Sequence, residues 1–283
     1  MSLLHRLART LRPSSLSPAR PVRPRVPSDF YTPSLNRTGL KPAARSYSRH
    51  SHYSHPPQPS FDHHYTVIYG LIGVNTSIFL YAKYAKAQAD QGFPAPYLQF
   101  FQNMTLNYES LFVEGRWWTM LTSAFTHVST MHLLGNMMST YFFAELVAMA
   151  PAMTPARLLT LAIGSALTGS VGYIWLKHRY IHSQPTDSWG RRPRDHTHGL
   201  GFSGSVMGIG SVAACMYPRA QVLVYGIVPV PMWLLMTGYA VFDGYYLNDP
   251  SSRVGHAGHL GGLAFGILYF LTRMRSPLGR VRR

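Results

Sequence analysis

Charge is what this sequence has least of. Only 13% of its 283 residues are Asp, Glu, Lys or Arg, and acids are the scarcer kind, 10 against 26 basic residues. Cysteine is nearly absent too. Cys215 stands alone in an apolar run, which excludes an intrachain disulfide as a brace for the fold. The missing charge is missing in blocks: residues 65–82, 158–176, 199–217, 220–242 and 255–272 contain none, and 132–150 carries only Glu145 near its far end. Each block holds roughly the 17–25 residues that a helix needs to cross the hydrocarbon of a bilayer. Six of them in about 210 residues are more than a soluble bundle supplies by chance. The expected fold class is all-α, a polytopic membrane protein with six transmembrane helices.

The positive charge that is present is concentrated at one end. Residues 1–60 hold ten Lys and Arg against one acid, Asp29, and so supply +9 of the formal +16. These basic residues are not interleaved with aromatics on a foldable face, which argues against nucleic acid as a partner. Leu3, Leu4, Leu7 and Leu11 recur at helical spacing, with Arg6, Arg9 and Arg12 on the other side. An acid-poor stretch rich in Ser, Arg and Pro follows. That pattern fits a mitochondrial transit peptide and lacks the continuous apolar core of a secretory signal; a disordered cytosolic tail is the plainer alternative. Arg45-Ser46-Tyr47-Ser48 resembles the Arg-x-Tyr/Ser site of the mitochondrial processing peptidase. The expected organisation is a transit peptide over 1–47, a linker over 48–64, a core over 65–276 and a basic tail over 277–283. The expected location is the mitochondrial inner membrane, as a multi-pass protein. Lys and Arg flanking the spans nearly balance between the two sides, so they leave the orientation undecided.

Polar residues inside apolar spans are expensive and mark candidate sites. In the second span His132 and Asn136 lie four apart and share a helical face. Interhelical hydrogen bonding alone would explain such a pair. The fourth span opens Gly199-Leu200-Gly201-Phe202-Ser203-Gly204, a serine at the start of an apolar helix, with Gly204 and Gly208 clearing one face. In the sixth, Gly258, Gly262 and Gly266 form a small-residue stripe beside His259. Two glycine-faced helices can approach closely enough for a Ser–His hydrogen bond of about 2.6–3.2 Å. A serine hydroxyl needs a base to become a nucleophile, and a tetrahedral intermediate needs donors for its oxyanion. Ser203 and His259 fill the first two roles. The Ser203 N–H, His132 and Asn136 are candidates for the third. Asp243 and Glu145 could supply an acidic third member only in principle, and a Ser/His dyad is the simpler arrangement. The short run Asp195-His196-Thr197-His198 could ligate a metal, but it reads more simply as a solvated turn, and no metal or cofactor is called for.

The same residues resemble the rhomboid proteases over most of 65–272. The resemblance lies in His127 followed by His132-x-x-x-Asn136, in Gly201-Phe202-Ser203-Gly204, and in His259-x-x-Gly262-x-x-x-Gly266. Gly73-Val74-Asn75 through Leu80 is similar to the family's first core span. The resemblance implies a six-helix core whose first long loop lies partly in the membrane and whose fifth helix acts as a lateral gate. It also implies a Ser203–His259 dyad, oxyanion donors from His132, Asn136 and the Ser203 amide, and single-span membrane proteins as substrates. Three positions depart from the family pattern. Thr119 follows Trp118 where arginine is common, Met207 stands where many members have a tyrosine against the catalytic histidine, and Gly258 replaces an alanine. The alternatives from other classes are an inactive relative that binds membrane clients, and a transporter lined by His127, His132, His256 and His259.

Overall fold

A computed structural model describes residues 61–275 except 225, 250, 251 and 253. The expected transit peptide, most of the expected linker and the basic tail lie outside the described residues. The first helix, α1 (Phe61–Asp90), starts inside the expected linker and runs well past Ala82. The extension is rich in Ala, Lys and Gln, which are good helix formers, and Lys86 pairs with Asp90 one turn on at 3.1 Å. The first long loop, expected over 83–118, is largely helical, with the end of α1, α2 (Ala95–Met104) and α3 (Tyr108–Phe112), and α4 (Thr119–Thr122) follows it. A 3-10 turn, Ser123–Phe125, leads on towards the second span.

Local chemistry fixes where the next helices begin. Ser129 caps α5 (Thr130–Ala148), its hydroxyl accepting the His132 N–H at 3.2 Å. Thr154 caps α6 (Pro155–Ser183), and Pro155 at the first position has no N–H to leave unpaired. Helix α7 is Ser203–Met216, so the candidate nucleophile is its first residue.

The structure differs from expectation over 220–242. Its first half is a hairpin, β1 (Gln221–Val224) and β2 (Val228–Pro231), with Val222 opposite Val230 and Val224 opposite Val228. Alternating β-branched valines favour a strand, and Pro229 and Pro231 lack the N–H that a helix interior needs. Pro231 then precedes α8 (Met232–Tyr245), which has 14 residues and is about 21 Å long. The last helix, α9 (His256–Tyr269), continues into a π-helical segment, Phe270–Met274.

Six of these helices have 14 residues or more, and two of them, α1 (over His63–Asp90) and α6, are long and apolar enough by themselves to cross a membrane. Helix α9 packs against both α6 and α7, α5 packs on α7, and α1 packs on α5. Leu158, Leu161, Phe202, Ile209 and Val212 are buried where these helices meet. Leu80, Phe142, Trp175, Trp233, Val241 and Leu268 point outward uncovered. Exposed apolar surface on so many elements suits lipid as the surrounding medium.

Candidate active site

Two sets of close contacts bring the fourth and sixth expected spans together. A methyl group added at Gly262 would collide with the Gly204 carbonyl, and one at Gly266 with the Gly208 carbonyl. The stripe therefore works as its spacing predicts, letting α7 and α9 meet backbone to backbone. The third glycine of the stripe, Gly258, faces α6 instead, with Gly169 O 3.4 Å from where its methyl would stand. At this crossing Ser203 Oγ lies 2.8 Å from His259 Nε2.

The approach of the chain to Ser203 is held by backbone hydrogen bonds. Leu106 and Gly199 exchange both of theirs, at 2.9 and 2.7 Å, and the Gly201 N–H donates to Ser123 O at 2.9 Å. Asn107 reinforces the clamp. Its carbonyl caps α3, while its Nδ2 donates to the carbonyls of Asp195 and Thr197 at 2.7 and 2.9 Å. Asp195 caps Thr197 and pairs with Lys177 at 3.4 Å, and His198 Nδ1 meets Thr105 Oγ1 at 2.8 Å. Partial burial pushes the His198 imidazole below its ordinary pKa. Asp195 and His198 are thus engaged in holding the loop.

An acidic group meets the other ring nitrogen of His259. Asp243, 1% exposed, places both carboxylate oxygens 3.1 Å from His259 Nδ1. An ionised carboxylate only accepts hydrogen bonds, so the proton of His259 belongs on Nδ1. Nε2 is then free to accept from the Ser203 hydroxyl, the tautomer a general base needs. The His259 ring thus stands between the Ser203 hydroxyl and the Asp243 carboxylate. Glu145 serves elsewhere, accepting from the Tyr65 hydroxyl at 3.0 Å. The signal for Asp243 was thin: one acid at the end of an otherwise uncharged stretch, sixteen residues before His259.

His132 and Asn136 occupy different positions around the serine. The His132 ring lies against Gly201, where an added methyl would be 2.6 Å from Cε1. Gly201 has φ +116, a left-handed conformation that glycine adopts without strain. With Ser203 and His259, His132 lines a cavity of about 920 Å³. Asn136 is buried behind it. Its Nδ2 lies 3.0 Å from His127 Nε2 and 3.0 Å from His132 O, and the Phe202 N–H also meets His127 Nε2 at 3.3 Å. In this arrangement both amide protons of Asn136 are committed to protein acceptors. Met207 is buried in the core cluster. Arg116, offset from the position where the family has its arginine, pairs with Glu114 at 3.0 Å.

Sequence comparison gives the family. Residues 114–276 match the Rhomboid domain family, more than half of the chain. The chain is similar to RHOMBOID-like protein 12, mitochondrial, of Arabidopsis thaliana, 31% identical over 218 residues, 76% of this chain and 60% of that protein. It thus spans less than two thirds of that relative's length. It is also 26% identical over 175 residues, 62% of this chain, to the protein named "Putative rhomboid protease YdcA" of Bacillus subtilis (strain 168), of which 76% is covered. A largely helical fold with apolar faces turned outward, and a family match over the helices that carry Ser203 and His259, lead to one conclusion: this chain belongs to the rhomboid family and has its membrane fold.

Proposed function

We propose that this protein is an intramembrane serine endopeptidase that cuts single-span membrane proteins within or near the bilayer. The observation that carries the reading is the 2.8 Å contact between Ser203 Oγ and His259 Nε2 at the wall of the cavity. In the first step Oγ attacks the scissile carbonyl carbon while His259 Nε2 takes its proton. Asp243 stabilises the imidazolium that forms. The oxyanion meets the Ser203 N–H, which as the first amide of α7 has no acceptor within the helix, and the His132 ring. His259 then returns the proton to the leaving amine, and a water molecule repeats the sequence on the acyl-enzyme. Two glycine-faced helices supply the geometry and the cavity gives water and peptide a common place to react.

The protein is further proposed to be a multi-pass protein of the mitochondrial inner membrane, with residues 1–47 as its import signal. The acid-poor, Arg-rich start of the chain supports this. So does the name of the Arabidopsis relative. Incubating the purified protein in detergent with a panel of single-span substrates, beside a Ser203→Ala control, tests the activity. Cleavage lost in the control, at bonds within or beside the span, is the expected result. A wild type that binds clients and leaves every one intact would favour an inactive escort instead.

A further inference from the structure

Asp243 is shared between two histidines. His256 Nδ1 lies 2.6 Å from Asp243 Oδ1, closer than the 3.1 Å of either contact with His259. His256 is 4% exposed, with the Phe242 and Tyr246 rings at 5.6 and 5.9 Å. Its other nitrogen, Nε2, lies 2.7 Å from Ser252 Oγ. Because the carboxylate can only accept, Nδ1 of His256 carries a proton, and a neutral ring then accepts the Ser252 hydroxyl proton at Nε2. The Ser252 oxygen is itself met by the Val254 N–H at 3.2 Å, which leaves that proton free for the histidine. Ser252, His256 and Asp243 thus repeat the order of Ser203, His259 and Asp243 on the same carboxylate.

We propose that His256 is a positioning residue of the catalytic apparatus: it fixes the Asp243 carboxylate so that the carboxylate can hold His259, and Ser252 fixes His256 in turn. The inference rests on the protease reading above. Asp243 belongs to α8 and His259 to α9, so the aim of the carboxylate depends on an alignment between helices. The terminal torsion of an aspartate is broad, and one histidine alone leaves it room to turn. His256, one helical turn before His259 on the same face, supplies a second fixed donor to the same oxygen. It also fills an acceptor site on a buried charge that would otherwise draw water inward. A role confined to packing α8 on α9 would need a ring of this size but not its Nδ1–H.

Four variants of the full chain test this, His256→Leu, His256→Asn, His256→Gln and Ser252→Ala. The readouts are kcat, KM, melting temperature and the rate at which a fluorophosphonate labels Ser203. His256→Leu should lower kcat and labelling about 10–100-fold through misalignment of the base. KM should stay within about twofold, because no substrate contact is removed. His256→Asn places an amide N–H where Nδ1–H stood and should recover most of the rate. His256→Gln places its amide nearer the Nε2 position and should not. Ser252→Ala should cost less, about 2–5-fold, since the ring keeps its bond to Asp243. A folded His256→Leu protein at wild-type kcat overturns the proposal, as does an Asn variant no faster than the Leu variant. If the Leu variant does not fold, equal rates for Asn and Gln overturn it. A wild type that resists labelling overturns the protease reading and the proposal together, whereas normal labelling with an indifferent His256 overturns the proposal alone.

Discussion

At the scale of single residues, proton placement decides what each group can do. Asp243 needs a proton on His259 Nδ1, and Ser203 needs Nε2 bare. In Asp243→Asn the amide can turn its N–H towards Nδ1, which favours the opposite tautomer and occupies the atom that must receive the serine proton. That variant should lose about 100- to 10,000-fold in kcat with little change in melting temperature. A loss smaller than about threefold would mean that the serine and histidine suffice as a dyad. The two polar residues of α5 should separate in the same assay. His132 faces the cavity and Asn136 spends its protons on His127 and the His132 carbonyl. His132→Ala should therefore cost about 10–1000-fold in kcat and Asn136→Ala clearly less, with more of its cost in stability. Equal losses in kcat at unchanged stability would make Asn136 a direct oxyanion donor.

At the scale of elements, α7 and α9 hold the serine and the histidine in register by meeting through glycines. Gly262→Ala would drive a methyl group into the Gly204 carbonyl, one residue from the nucleophile. The cost should be about 1–3 kcal/mol of stability, together with a fall in kcat, because α7 must shift to make room. Gly70 on α1 has open space around the same added methyl, so Gly70→Ala should leave activity intact. Comparing melting temperature and kcat for the two variants checks the claim, and equal behaviour would refute it. This crossing was legible in the sequence because the four-residue glycine period and His259 share one short segment and Ser203, with Gly204 and Gly208, lies in another. The hairpin over 221–231 was not, since a run of Val, Leu, Ile and Pro is apolar enough for a span and hydropathy does not register its alternation. Asp243 and His256 were hidden for a different reason. Their pairing joins α8 to α9 in space, and no spacing within one helix announces it.

At the scale of the whole molecule, three parts of the chain are expected to act separately: an address, a membrane scaffold and a site. The inner-membrane potential contributes about 2.3 kcal/mol per charge per 100 mV, which suits the import role proposed for the basic residues 1–47. Removing 1–47 should misroute the protein while the purified remainder keeps its activity. N-terminal sequencing of protein recovered from mitochondria should begin within a few residues of Ser48, and an intact Met1 there would refute the processing site. The scaffold's task is narrower, to let a hydroxyl and an imidazole meet inside an apolar protein. Mapping a fluorophosphonate adduct by mass spectrometry on the purified protein tests that most directly. The adduct should sit on Ser203 alone in the wild type, and be lost or slowed by about 1000-fold or more in His259→Ala. Labelling of Ser203 at an unchanged rate without His259, or no labelling in a folded and cavity-competent wild type, would contradict the account.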